Sequence, residues 1–119
     1  MDCGSSALNI SQRDIILIPF PFSDLSGAKV RPASIASNDI YHTAHRDAVV
    51  LALTSNLSTS DYKVLIETQD LETGSLPVKS AVRVDKPFSI LQNKILKIQA
   101  KITLAKFEEV KAVIAELIG

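Results

Sequence analysis

Six short apolar runs, with no helical pattern between them, constrain the fold of this chain more than any other feature. Each run has the length of a β-strand, whereas a doubly wound parallel sheet would need helices between its strands. The runs are residues 14–19, 30–37, 47–54, 63–67, 78–85 and 95–102. The sequence therefore predicts a small barrel or rolled sheet.

The last two runs also predict which side chains face inward. Side chains alternate between the faces of a strand, so Val78, Val82 and Val84 should share one face and Arg83 and Asp85 the other. In the sixth run the same alternation predicts these inward residues: Leu96, Ile98, Ala100 and Ile102.

Beyond residue 102 the apolar spacing changes from two to three and four, which is typical of an amphipathic helix. Thr103 is the predicted N-cap. The predicted apolar stripe consists of Leu104, Phe107, Val110, Ile114, Leu117 and Ile118. The fold class expected is thus mostly β with a C-terminal helix.

The bulk composition indicates one globular domain. A length of 119 residues suits a single core, so residues 1–119 are predicted to form one domain, with residues 1–12 as a flexible N-terminal segment. A charged fraction of 22% argues against disorder. The formal net charge is zero, so any binding of nucleic acid would require a local cationic patch.

Several site classes find no support in the sequence. Cys3 is the only cysteine, which excludes an intramolecular disulfide and an all-cysteine metal site. His42 and His45 have a spacing that sometimes binds metal, but no third ligand is evident, so neither a metal nor a cofactor is expected. Neither a signal peptide nor a membrane-length apolar run is present, and we expect a cytoplasmic protein.

The first loop has features suited to gripping a phosphate. Two prolines in residues 19–22 stiffen the exit from the first strand, and Gly27 and Lys29 follow in a polar loop. Arg31 precedes Pro32, which favours an extended backbone and holds a guanidinium at the start of a strand. The alternative is a plain hairpin loop with an arginine on its solvent side.

Two further polar groups are candidates. Thr54, Ser55 and Asn56 end an apolar strand, where they either bond phosphate oxygens or close a turn. Arg83 and Asp85 lie two residues apart on one strand face, where they offer a substrate a cation and a carboxylate or form an exposed ion pair.

Three segments together resemble the MazF/PemK family, the ribosome-independent mRNA interferases of toxin–antitoxin pairs. They are "DIILIPFPFSDLSGAKVRPASIAS", "VVLALTSN" and "SAVRVDKPFSI", within about residues 14–102. The resemblance implies an SH3-like β-barrel, a homodimer, and an antitoxin whose tail occupies the RNA groove. It also implies a metal-independent endoribonuclease on single-stranded RNA, in which the 2′-hydroxyl attacks the phosphate and leaves a 2′,3′-cyclic phosphate and a 5′-hydroxyl.

The resemblance also assigns roles to residues. The catalytic arginine of the family falls on Arg31 and its threonine on Thr54, while the later arginine–aspartate pair of the Kid/PemK branch falls on Arg83 and Asp85. We expect Asp85 to be the base, and Arg31 and Thr54 to hold the phosphate oxygens. The predicted substrate-binding residues are Ser26, Lys29, Ser55 and Asn56.

The chain departs from the family pattern at two places. The first loop lacks the histidine of the Kid/PemK branch, and Arg13 stands where the family usually has glycine. Two alternatives therefore stay open, a catalytically weak barrel that binds nucleic acid or a peptide, and a purely structural barrel.

Overall fold

One antiparallel sheet forms most of the protein. The computed structural model describes residues 9–20, 29–58 and 62–119, and in this part of the chain the strand order is β4-β6-β3-β2-β1-β7-β5. The strands are β1 (Asp14–Phe20), β2 (Lys29–Ile35), β3 (Asp47–Thr54), β4 (Lys63–Ile66), β5 (Leu71–Gly74), β6 (Ser80–Leu91) and β7 (Lys97–Ile102). The helices are α1 (Asp39–Ala44) and α2 (Leu104–Ile118).

The sheet curls into a half-barrel whose edge strands, β4 and β5, follow one another in the chain. A 3-10 turn, Thr68–Asp70, connects them. The Thr103 N–H donates to the Asp70 carbonyl at 2.8 Å, and Lys106 Nζ lies 3.6 Å from the Asp70 carboxylate. The start of α2 is thereby attached to the turn that links the two edges. The predicted mostly β fold with a C-terminal helix is confirmed.

Apolar side chains pack on both faces of the sheet. One buried cluster lies between the concave face and α2; it includes Ile15, Leu53, Val64, Ile66, Val82, Val84, Ile102, Phe107 and Val110. The second lies on the other face and contains Ile16, Ile18, Ala33, Ile35, Ala48, Val50 and Ile95. Burial on both faces explains why β1 reads as a continuous apolar run.

Helix α2 begins at the predicted cap but buries only the middle of its apolar stripe. Thr103 Oγ1 accepts from the Lys106 N–H at 3.2 Å. Phe107 and Val110 are buried, whereas Leu104 and Ile118 are exposed. No helix in the described part of the chain has the length and apolar character needed to cross a membrane.

Two elements were not predicted, and the edges of two others were misplaced. The short helix α1 and the strand β5 have no sustained apolar period, and β5 is held by pairing with β7. β6 continues to Leu91, beyond the predicted end at residue 85. Val78 and Leu96, predicted to face inward, precede β6 and β7 and are exposed. The predicted runs begin at residues 78 and 95, two residues before β6 and β7 begin.

Pro19 shows how the first strand tolerates a proline. Proline lacks the N–H that a central strand donates, yet Pro19 belongs to β1 and pairs with Val30 of β2. The β1–β7 ladder ends earlier, at Leu17 and Lys97, so no ladder bond is required on the second side of Pro19.

The start of β1 is held by both side-chain and backbone contacts. Of the predicted flexible segment, residues 1–8 lie outside the described residues, but Gln12 Nε2 donates to the Ala36 carbonyl at 2.8 Å. Arg13 has a φ of 83°, a left-handed conformation that glycine adopts more readily than other residues. Its guanidinium donates to the Ile102 carbonyl at 2.9 Å and to Glu72 at 2.8 Å, and these bonds offset the strain.

A buried histidine anchors α1. The His42 side chain is 5% exposed, its Nε2 lies 2.8 Å from Ser37 Oγ, and its Nδ1 is 3.6 Å from Asp39. Burial lowers the pKa of His42, although Asp39 opposes the shift. His45 instead stacks on Tyr41 with ring centroids 4.1 Å apart. Within the described residues no group of three or more His, Cys, Asp and Glu side chains could hold a metal ion.

Gly74→Ala should destabilise the fold. Gly74 has a φ of 76°, and an added Cβ would lie 2.6 Å from Ala100 Cα and closer still to the Gln99 carbonyl oxygen of β7. We expect a loss of about 1–3 kcal/mol in the free energy of unfolding, measured by urea denaturation. The exposed neighbour provides a control, since Ser75→Ala should change stability by less than about 0.5 kcal/mol.

The free energy of unfolding should fall in mild acid because of His42. Its pKa in the folded state lies below the ordinary value of 6.5, so its contribution is full above that pH and is lost as the pH falls below it. Urea denaturation across about pH 5 to 8 should show a smaller decline for His42→Gln than for wild type. An equal decline in wild type and His42→Gln would contradict this, and His45→Gln should retain the wild-type decline.

Candidate active site

The register of β2 and β3 brings Arg31 and Thr54 to facing positions. Ala33 pairs with Ala52 at the end of their ladder. Two residues further along each strand, on the same face, are Arg31 and Thr54. The register therefore places these two residues on the same face, just beyond the end of the β2–β3 ladder.

β6 adds Arg83 and Asp85 to the same face. Thr54 pairs with Ala81, and alternation along β6 places Arg83 and Asp85 on the face of Ala81. The intervening Val84 is buried in the concave core, while Arg83 and Asp85 are partly exposed. The four predicted catalytic residues thus share one face of three adjacent strands.

An irregularity in the β3–β6 ladder lies at this point. Leu53 pairs with Val82 but Leu51 pairs with Pro87, so residues 83–86 of β6 lie opposite a single residue of β3. Bulges of this kind bend a strand and reorient its side chains. Arg83 and Asp85 therefore belong to a segment freed from regular pairing with β3.

Arg83 and Asp85 are neighbours without a direct hydrogen bond. Arg83 Nη2 lies 3.7 Å from Asp85 Oδ2, with the two side chains 37% and 30% exposed. That separation exceeds the length of a charge-assisted hydrogen bond. Within the described residues, the buried Arg83 Nε also has no hydrogen-bond partner. Both groups therefore retain capacity for a ligand.

The hydroxyl of Thr54 is oriented by the turn that follows it. Thr54 Oγ1 accepts from the Asn56 N–H at 3.0 Å, and Asn56 Oδ1 accepts from the Ser58 N–H at 3.1 Å. A hydroxyl that accepts one bond still has its own proton to donate. Thr54 can thus donate to an oxygen above the sheet, and Ser55 is exposed beside it.

Lys63, which was not among the predicted site residues, also lies on this face. It pairs with Arg83 across β4 and β6. Its Nζ donates to the Asn56 carbonyl at 3.0 Å and to the Ser58 carbonyl at 3.3 Å. Only the pairing of β4 with β6 identifies this lysine, because its local sequence resembles any strand start.

Two of the predicted substrate-binding residues lie wholly or partly outside the described part of the chain. Ser26 falls outside the described residues, and so does the side chain of Lys29, whose backbone belongs to β2. Arg31 is exposed.

The face has the charges needed to handle a phosphate. Arg31 and Arg83 supply two guanidinium cations against the carboxylate of Asp85, although the whole chain is formally neutral. Guanidinium groups stabilise charge on phosphate oxygens, a carboxylate can accept a proton, and a hydroxyl can donate a hydrogen bond. The arrangement suits charge stabilisation and proton transfer at a phosphodiester.

Solved structures of similar fold include toxin proteins. An endoribonuclease in complex with its cognate antitoxin, from a mycobacterial species, has a TM-score of 0.76 and 16% identity, over 92% of this chain and 95% of that one. A MazE–MazF complex from Deinococcus radiodurans also has a TM-score of 0.76, with 18% identity over 94% and 98%. The Mycobacterium tuberculosis toxin MazF-mt6 has 0.70, with 15% identity over 89% and 96%.

A comparison with curated proteins gives no match. By contrast, a family model described as the PemK-like, MazF-like toxin of type II toxin–antitoxin systems matches residues 11–118. That range includes every strand and both helices, together with Arg31, Thr54, Arg83 and Asp85. The chain belongs to the PemK-like, MazF-like toxins of type II toxin–antitoxin systems.

Proposed function

We propose that this toxin is an endoribonuclease that cleaves single-stranded mRNA sequence-selectively and without a metal ion. The observation that carries the proposal is the convergence of Arg31, Thr54, Arg83 and Asp85 on one face of β2, β3 and β6. Membership of the toxin family and the fold shared with endoribonucleases support the same reaction.

The proposed reaction is an internal transesterification. The 2′-oxygen forms a bond to the adjacent phosphorus while the bond from phosphorus to the 5′-oxygen breaks. Asp85 accepts the proton of the 2′-hydroxyl, and the departing 5′-oxygen takes up a proton from water, which leaves a 2′,3′-cyclic phosphate and a 5′-hydroxyl. Arg31 and Thr54 hold the non-bridging oxygens, and Arg83 stabilises the added charge of the transition state.

The biological setting follows from the substrate and the family. A structural neighbour is an endoribonuclease bound to its cognate antitoxin, and we propose that a cognate antitoxin likewise occludes the cationic face of this chain. An mRNA substrate places the activity in the cytoplasm, and we expect the working form to be a homodimer. Ser26, Lys29, Ser55 and Asn56 are proposed to contact RNA beside the reacting phosphate.

Arg31→Ala should abolish most cleavage of a long single-stranded RNA in excess chelator. Loss of one charge-stabilising donor should lower kcat by roughly 10²- to 10³-fold. The control is Arg46→Ala, because Arg46 is exposed and precedes the opposite end of β3 from Thr54, so cleavage should persist. Gel analysis should detect cyclic-phosphate ends, and a 2′-deoxy nucleotide at the cut site should block that cut.

Two results would contradict the proposal. RNA left intact by micromolar wild-type protein, but still bound by it, would favour a nucleic-acid binding module. Cleavage that disappears in chelator would contradict the metal-independent mechanism.

Asp85→Asn should separate catalysis from binding. Because it removes the proton acceptor, kcat should fall by roughly 10²-fold or more. It also removes a negative charge from the face, so the affinity for an uncleavable 2′-deoxy strand should be unchanged or higher. Arg83→Ala should instead weaken that binding as well as cleavage. A weaker affinity of Asp85→Asn for the 2′-deoxy strand would show that Asp85 contacts the nucleic acid in the ground state.

A further inference from the structure

We infer that Lys63 is a positioning residue, which holds the turn after β3 and thereby the hydroxyl of Thr54. The inference rests on the proposed function for its consequence in catalysis. Its structural basis is the set of contacts that Lys63 makes from β4 to residues 56–58.

The contacts form a continuous path from Lys63 to Thr54. Lys63 Nζ donates to the carbonyls of Asn56 and Ser58, at 3.0 Å and 3.3 Å. The N–H of Asn56 donates to Thr54 Oγ1 at 3.0 Å, and its side chain accepts from the Ser58 N–H at 3.1 Å. Fixing the two carbonyls therefore fixes the amide that orients the Thr54 hydroxyl.

The direction of these bonds distinguishes Lys63 from a phosphate ligand. An ammonium group has three protons to donate. Two point to backbone carbonyls, and Ser58 Oγ lies 3.5 Å from Nζ as a third acceptor. With two protons directed to backbone carbonyls, Lys63 is oriented toward the turn rather than toward an RNA phosphate. Arg31 and Arg83 remain the cations available to the substrate.

The strand that carries Lys63 is well packed. Val64 and Ile66 are buried in the concave core, and β4 pairs with β6 along Lys63–Ile66. The exposed turn at residues 56–58 has no buried side chain of its own. Hydrogen bonds from Lys63 on the packed strand therefore hold this exposed turn in place.

The test compares Lys63→Met, which keeps the length of the stem and removes the donors, with Lys111→Met. Lys111 is an exposed lysine on α2 whose contact is Glu108, so its variant should behave as wild type. In Lys63→Met, kcat should fall about tenfold with KM within about twofold, because misplacement of a reacting group lowers the rate. In a Thr54→Ala background the same change should cost less than about twofold.

One binding measurement and one hydrogen-exchange measurement complete the test. The salt dependence of binding to a 2′-deoxy single strand should be unchanged in Lys63→Met, whereas loss of a phosphate contact would reduce the slope by about 0.7. Hydrogen exchange at the Asn56 amide should accelerate by about fivefold or more, because its acceptor is no longer held in place.

Three contrary results would overturn the inference, and a fourth would overturn the proposed function alone. An unchanged exchange rate at Asn56 would overturn the inference, as would a reduced salt slope or a full tenfold loss in the Thr54→Ala background. If the wild-type protein cleaves no RNA, the proposed function fails, and the exchange measurement still decides whether Lys63 holds the turn.

Discussion

The pairing of β3 with β6 is the constraint on which the site depends. β6 pairs with β4 on one side and β3 on the other, and between Val82 and Pro87 it loses register with β3. Val82 and Val84 keep this segment attached to the concave core. Arg83 and Asp85 are consequently presented on the opposite face, in a segment where regular pairing with β3 is interrupted. A strand that is anchored by one set of side chains can thus offer the other set to a ligand.

The location of the charges matters as much as their number. A formally neutral chain has no overall attraction for RNA, so recognition depends on the short range over which cations on one face act. In this protein two arginines reach that face from different strands, and the carboxylate of Asp85 lies beside one of them.

Much of the fold and part of the site could be predicted from local sequence. Period-two alternation correctly assigned Arg83 and Asp85 to the face opposite Val82 and Val84, and the change of period at Thr103 located α2. β5 could not be predicted, because its pairing with β7 stabilises it rather than its own pattern. Lys63 was missed for the same reason: its role depends on a cross-strand neighbour, and a single sequence does not reveal strand pairing.

The attachment of α2 to the turn at Asp70 bears on how the protein is made. During synthesis Arg31 and Thr54 leave the ribosome well before Arg83 and Asp85, and Thr103 and Lys106, which contact Asp70, follow last. Folding of such a sheet needs contacts between distant parts of the chain, and these form only once both partners have emerged. A chain that ends before β6 lacks Arg83 and Asp85 and therefore cannot form the complete face.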